Sequence, residues 1–372
     1  VYCREWRKRN KEQRESGQLS LFAPDLQPWD RLGNLAAGMT QLDAVGDDTL
    51  AGVKRQQELY EQLVRSSDYR FGQLLADAWC AAFVWIKTDD FAYPITWEIM
   101  HQIELNPFNI SKWMEEEIGR LQGQYQFFHW HLAFPHVFRP AQTRVPTDVI
   151  GWEGGFDVVL GNPPWEHTEL KEKEWFASRD PATAAAPNKA ARQKLIGALE
   201  KENPALYSDF LNAKRQAEGG SHLASNTDHY PLCGRGDVNT YALFAELARQ
   251  VQGPAGRVGI IVPSGIATDD TTKYYFRELM DGAALVSLYD FENREAIFPG
   301  VHRSCKFCLL TLTGPERPAP AAEFVFFAYQ VTDLGEPERN FTLDAAEIAL
   351  LNPNTRTCPI FRSRRDAELT KA

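Results

Sequence analysis

Phe156-Asp-Val-Val-Leu-Gly-Asn-Pro-Pro-Trp165 decides the fold of this chain. Phe156 to Leu160 has the length and β-branched content of a short buried strand, and Gly161 followed by two prolines ends it. Downstream, strands and helices alternate. A helix is predicted over 238–251, a Gly-Pro-Ala-Gly turn over 253–256, a strand over 257–263 and a helix over 271–281. Two more strands are predicted, over 284–291 and 303–313. That spacing predicts an α/β fold with a doubly wound sheet. Open sheets of this kind bind ligands beyond the carboxyl ends of their strands. Asn162-Pro163-Pro164-Trp165 therefore stands where a site belongs.

Away from these strands the chain reads as helical. Residues 1–16 are locally basic, with six Lys or Arg against three Glu, and predict a solvated helix face or a contact to a DNA backbone. Residues 17–50 carry Gly, Pro and Asp at short intervals and predict a connector, with Gly33 and Gly38 in a loop. Leu59, Leu63, Phe71, Leu74, Leu75, Trp79 and Phe83 recur near helical spacing, and a third helical run covers 110–121. Residues 166–236 are helix-prone but interrupted by Pro181, Pro187, Pro204 and Gly219-Gly220, and predict a helical insertion. Residues 315–322 read as a Pro/Ala-rich linker. The chain opens on Val1 and ends on Ala367-Glu-Leu-Thr-Lys-Ala372 in the middle of a helical pattern, so it is expected to be a piece of a longer polypeptide.

Composition narrows the function classes. The 372 residues are 44% hydrophobic and 24% charged, close to a soluble globular average, which excludes wholesale disorder. No apolar stretch approaches the ~20 residues of a membrane span. A net charge of −10 argues against a small, diffuse nucleic-acid binder and leaves room for a local basic groove. Six cysteines are too few for a disulfide scaffold, and no secretory segment opens the chain, so a cytoplasmic location is expected.

The chemistry rests on Asn162-Pro163-Pro164-Trp165. Two prolines fix the backbone and remove two N–H donors, leaving aimed carbonyls beside the Asn162 amide. Acceptors next to an aromatic plate suit a planar group with an exocyclic amine, whose two N–H bonds they would take while Trp165 stacks on its face. The plainer alternative is a strand-ending turn with Trp165 in the core.

Five segments, in order, resemble the S-adenosylmethionine-dependent N6-adenine DNA methyltransferases. The resemblance is to the gamma-type enzymes of the large fused restriction–modification and phage-defence (BREX- or DISARM-like) families. The segments are Phe128-His-Trp-His-Leu-Ala-Phe-Pro-His-Val-Phe138, Gly155-Phe-Asp-Val-Val-Leu-Gly-Asn-Pro-Pro-Trp165, Gly234-Arg-Gly-Asp-Val-Asn-Thr-Tyr-Ala-Leu-Phe244, Gly256-Arg-Val-Gly-Ile-Ile-Val-Pro-Ser264 and Phe291-Glu-Asn-Arg-Glu-Ala-Ile-Phe-Pro-Gly-Val301. The resemblance implies a partial Rossmann-like methyltransferase sheet with a helical N-terminal region over 1–122. It implies the C-terminal half of the catalytic domain over 123–314, with the insertion at 166–236. Residues 315–372 would be a linker and the start of a target-recognition region. It further implies a prokaryotic cytoplasmic enzyme that acts on double-stranded DNA, with a nuclease, helicase or other defence subunits as partners.

By the same resemblance the target adenine is flipped from the duplex. The Asn162 side-chain oxygen and the Pro163 carbonyl accept from its amino group, Pro164 completes the rigid turn, and Trp165 and Phe298 contact the base. Asn162 is also the one contact to S-adenosylmethionine expected here. The glycine-rich loop and the acidic residue that should precede the Asn-Pro-Pro stretch match nothing in residues 1–125. Ile260-Ile-Val-Pro-Ser-Gly265 lacks Gly-x-Gly, and His129 stands near where an acidic residue is expected. The rest of the cofactor site is therefore expected upstream of Val1.

Other constellations read as structural. Cys305-Lys-Phe-Cys308 would place its thiols on opposite sides of a strand, so no metal site is expected. His129, His131 and His136 look like ligands but have no carboxylate in step, and predict packed or hydrogen-bonded core. Glu115, Glu116 and Glu117 predict a solvated helix face. Arg356, Arg362, Arg364 and Arg365 predict either phosphate contact or a solvated helix start. Two rival functions remain: methyl transfer to guanine amines of RNA or to a protein glutamine amide, and a non-catalytic piece that docks on DNA or a partner.

Overall fold

The computed structural model describes residues 2–16, 32–87, 93–140, 152–227 and 229–371. The chain divides into two compact units, Val1–Glu153 and Gly154–Ala372. Compactness thus groups residues 123–153 with the helical unit. Among the described residues no helix is long and apolar enough to cross a membrane.

The first unit holds α1 (Tyr2–Ser16), α2 (Leu32–Asp43), α3 (Leu50–Arg65), α4 (Ser67–Val84), α5 (Trp97–Leu105), α6 (Lys112–Tyr125) and α7 (Trp130–Ala133). A two-stranded ribbon, β1 (Phe138–Pro140) with β2 (Trp152–Gly154), follows them. Helical spacing sets the core: Leu75, Ala78 and Ala81 of α4 pack with Ile103 of α5 and Met114, Ile118 and Leu121 of α6. The helical run from residue 53 to 85 breaks at Ser66, which leaves helical geometry and caps Tyr69 N with its hydroxyl. Two expectations change here. Part of the predicted connector is helix α2, whose Leu35 is buried with Ala76 and Leu132, so Gly33 and Gly38 lie in a helix. Burial of Leu35 outweighs the ~1 kcal/mol that each helical glycine costs. Residues 17–31 lie outside the described residues. Helix α1 is more than a solvated face: Asn10 accepts from Trp97 N at 2.7 Å, and Gln13 donates to Glu98 at 2.6 Å, tying α1 to the start of α5.

The second unit is built on a six-stranded mixed sheet, so the α/β reading stands. Its strands are β3 (Phe156–Gly161), β4 (Gln252–Val262), β5 (Leu285–Glu292), β6 (Lys306–Thr313), β7 (Ala322–Ala328) and β8 (Phe341–Leu343), in the order β3-β4-β6-β5-β7-β8. Strands β3 and β4 pair in parallel, as do β5 and β7, while β6 runs antiparallel between β4 and β5. The carboxyl ends of β3, β4, β5 and β7 therefore open on one side. Between β3 and β4 lie α8 (Glu172–Ala177), α9 (Pro181–Ala184), α10 (Lys189–Glu202), α11 (Pro204–Asn226) and α12 (Thr240–Gln250). Between β4 and β5 come α13 (Gly265–Thr268) and α14 (Lys273–Asp281), and α15 (Ala345–Leu351) and α16 (Arg364–Lys371) close the chain. Helices α12 and α14 cover one face, where Tyr241, Ala245, Phe276 and Leu279 meet Val258, Ile260, Leu288, Leu310 and Phe324.

Four local readings are corrected. Strand β3 is not the buried strand its residues predict: among the described residues it pairs with β4 alone, and Val158 and Leu160 are 60% and 78% exposed. The Gly-Pro-Ala-Gly segment is an irregularity inside β4, where the register jumps from Phe156↔Gln252 to Val158↔Arg257. Helix α11 runs unbroken through Gly219-Gly220, because two glycines lower helix stability without removing a hydrogen bond. Residues 315–321 only turn the chain from β6 to β7. Beyond them Phe324, Phe326, Phe341 and Leu343 are buried in the same core, so this segment completes the sheet.

Candidate active site

Strand β3 delivers Asn162 to the carboxyl end of the sheet, one residue after the Gly161↔Ile260 pairing. The Asn162 side chain is exposed, and no hydrogen bond among the described residues uses its amide or the Pro163 carbonyl. The next carbonyl differs. Pro164 O accepts from the Thr240 hydroxyl at 2.7 Å, and the Thr240 oxygen in turn accepts from Glu166 N at 3.0 Å. Thr240 N donates to Glu166 O at 2.8 Å, Thr168 N to Val238 O at 3.1 Å, and His167 meets Asp237 at 3.2 Å. Residues 237–240 thus staple the exit of the Asn-Pro-Pro-Trp turn to the start of α12. Thr240 lies within the quoted segment Gly234–Phe244, and its signal in the sequence was a hydroxyl residue opening a helix.

The loop after β5 carries Phe298. Asn293 is fully buried and holds the loop closed. Its Nδ2 donates to Phe298 O at 3.0 Å and Val301 O at 2.9 Å, and its Oδ1 accepts from Phe298 N at 3.0 Å. The Phe298 ring sits edge-on to Phe307, with centroids 5.1 Å apart. Trp165 and Phe298 both pack against the buried group Phe291, Phe307, Val325 and Ala328, so the structure brings these two sequence-predicted residues together. Trp165 is only half-buried, yet its Nε1 is enclosed without a hydrogen-bond partner. The indole is therefore partly a core residue, and a base could stack only on what remains exposed.

Asp290, which the sequence reading did not single out, ties three strand ends. It accepts from the Ser264 hydroxyl beyond β4 and from Phe327 N of β7 at 3.1 Å. Burial pushes its carboxyl above the usual range, while both hydrogen bonds and Lys306 pull the other way. Cys308 is buried in β6 and Cys305 precedes that strand. Among the described residues no group of three or more His, Cys, Asp or Glu side chains is placed to hold a metal ion.

The three histidines lie in the first unit, and two of them have acidic partners that sequence proximity does not reveal. His129 Nε2 stands 2.7 Å from the buried Asp77 of α4, and His136 stands 3.5 Å from Asp43 of α2. His131 stacks on Trp152 with centroids 4.5 Å apart. Burial, then the neighbouring His129, lowers the His131 pKa from 6.5 to about 3. Between these values the unfolded chain binds a proton that the folded unit refuses, so stability present above about pH 6.5 is lost as pH falls toward 3, by ~1.4 kcal/mol per pH unit. Acidification from pH 7 to pH 5 should cost the first unit about 2 kcal/mol through this residue. His131→Phe should flatten that slope in melts at the two pH values, and equal slopes would show that His131 does not control it.

Of the basic C-terminal residues, Arg356 reaches Asp281 at 3.6 Å and Arg364 pairs with Glu368 at 2.9 Å, whereas Arg362 lies over the Phe327 ring. For S-adenosylmethionine the fit is incomplete. Val158 and Leu160 are exposed on one face of β3, and among the described residues no glycine-rich loop follows a strand beside it. Among the described residues there is no cradle of that kind for the cofactor.

Residues 79–218 match the profile of a family described as Eco57I restriction-modification methylase. That span runs from α4 through Asn162–Trp165 into α11. No curated protein matches the chain in sequence. Among solved structures, a protein from a type I restriction–modification system is 11% identical over 86% of this chain and 65% of its own, with a TM-score of 0.31. A modification subunit assigned to a type I restriction enzyme from Vibrio vulnificus is 11% identical, covering 82% and 63%, with a TM-score of 0.30. A type I restriction–modification methyltransferase subunit from Streptococcus thermophilus is 10% identical, covering 94% and 98%, with a TM-score of 0.29. The chain spans less than two thirds of the length of the first two.

Proposed function

We propose that this chain carries the amine-orienting part of an S-adenosylmethionine-dependent, site-specific DNA methyltransferase. It acts on N6 of adenine within a restriction–modification or phage-defence enzyme. One observation carries the reading: Asn162 and the Pro163 carbonyl stay free as acceptors at a strand's carboxyl end, while Thr240 takes the Pro164 carbonyl. The turn lies inside the stretch that matches a methylase profile. Two fixed acceptors take both N–H bonds of an exocyclic amine and turn its lone pair out of ring conjugation. The rigid turn means that little reorganisation is needed when the base arrives. Trp165 and Phe298 pack on one buried cluster, which supports their contacting a flipped base together. S-adenosylmethionine supplies the methyl group when bound.

The test is methyl transfer from labelled S-adenosylmethionine, offered side by side to adenine-containing duplex DNA, ribosomal RNA and release-factor protein. Label is expected in N6-methyladenine of the duplex alone. Label in RNA guanine or in a glutamine amide would replace the substrate assignment. Duplex binding without any transfer would reduce the chain to a DNA-docking piece.

A further inference from the structure

A group of cations at the same end of the sheet is not used by the acceptor chemistry of Asn162. Lys306 opens β6 and Phe327 lies at the end of β7. The Lys306 ammonium and the Arg362 guanidinium each lie 5.1 Å from the centroid of the Phe327 ring. Arg303, three residues before β6, donates to the Arg294 carbonyl, and Arg294 lies 5.0 Å from the Tyr329 ring. Arg294 spends its charge on Glu292 at 2.9 Å, and Arg339 is taken by Glu336 at 2.5 Å. Arg303, Lys306 and Arg362 are exposed, and none of them enters an ion pair among the described residues. Lys306 also feels the Asp290 carboxylate, yet three exposed cations outside ion pairs at this end of the sheet stand out on a chain of net charge −10. Aromatic faces hold two of them, which limits the freedom these long side chains would otherwise lose on binding.

Their position suits a polyanion that also reaches Asn162. Strand β6 is two places from β3 and β7 is four places from it. At ~4.8 Å per strand the cations lie roughly 10–19 Å along the sheet from Asn162. Duplex DNA presents a charge every ~1.7 Å of axis, so several phosphates fall within that distance. We infer that Arg303, Lys306 and Arg362 form a phosphate-contacting surface for double-stranded DNA, which seats the duplex so that one base can reach Asn162. The inference rests on the reading of the substrate as a DNA base. It assigns these side chains to positioning and not to sequence readout.

Binding of a short fluorescein-labelled duplex, without methyl donor, tests this by anisotropy across a salt series. Replacing all three cations by Gln should weaken binding about tenfold or more near 0.1 M salt and reduce the slope of log K against log salt by about 2–3. Arg303→Gln removes no ring contact, so it keeps the test valid if the triple variant melts early, and it should lower the slope by about 0.9. Lys189, Lys194 and Lys201 of α10 are also exposed, and their joint replacement by Gln should leave affinity within twofold. Equal losses in the two triple variants, or unchanged slopes, would overturn the surface. Tighter binding of single-stranded RNA through the same three residues would overturn duplex DNA as the partner. Methyl transfer is scored separately: its absence with intact, Arg303-dependent binding refutes the reading of Asn162 and leaves this surface standing.

Discussion

Asn162→Ala should lower N6-adenine methyl transfer on the order of 10²-fold or more while leaving the protein folded. Asn162 is exposed and unbonded, so its truncation removes no packing and no internal hydrogen bond. Such surface changes usually alter stability by no more than about 0.5 kcal/mol. The loss should fall on turnover, because one of two acceptors that hold the amine is gone while the Pro163 carbonyl and the aromatic contacts remain. Asn162→Asp keeps an oxygen at the same point and should retain more activity than Asn162→Ala. Single-turnover rates together with melting temperatures separate the two effects. Turnover close to that of the unsubstituted protein in Asn162→Ala would remove the catalytic role.

The largest stability effect is expected at Gly155, just before β3. Its φ is +138°, and an added Cβ would stand 2.5 Å from both Gln252 C and Gly253 N, which are backbone atoms. A side chain there is strained by conformation, at ~1–3 kcal/mol. It also forces apart the start of the β3–β4 pairing, at a further ~1–3 kcal/mol for overpacking. Gly155→Ala should therefore cost about 3 kcal/mol or more and lower the melting temperature of the second unit by roughly 10 °C. Gly197 in α10 is the contrast, with nothing within 4 Å of an added Cβ. Gly197→Ala should stabilise by about 0.5–1 kcal/mol through the entropy of the unfolded chain. Similar melting curves for the two variants would mean that the Gly155 approach is not tight.

Most of the candidate site was legible because it is local. Asn162, Pro163, Pro164 and Trp165 are consecutive, and proline geometry together with a preceding apolar run is enough to aim them. Phe298 needed an ordered set of segments to be singled out. Its partner Asn293 was legible only as a letter, since three hydrogen bonds to its own loop follow from burial. Glu323-Phe-Val-Phe-Phe-Ala328 carried a strand signal that the preceding prolines and alanines masked. Long-range hydrogen bonding was the least accessible, because Asp77 and His129 stand 52 residues apart and meet only when α4 packs beside the turn before α7.

By itself the sequence determined the alternation of strands and helices, the place of the Asn-Pro-Pro-Trp turn after a strand, and the acceptor chemistry of that turn. These depend on φ restriction, periodicity and donor counts, which are properties of neighbours in the chain. Tertiary structure alone decided that Val158 and Leu160 of β3 are exposed, that β6 enters antiparallel between β4 and β5, and that Thr240 takes the Pro164 carbonyl. It also decided that Lys306 and Arg362 meet on the Phe327 ring at the end of β7. A strand's own residues do not record what pairs beside it. An unpaired cation is defined by the absence of carboxylates in space, which no local pattern encodes.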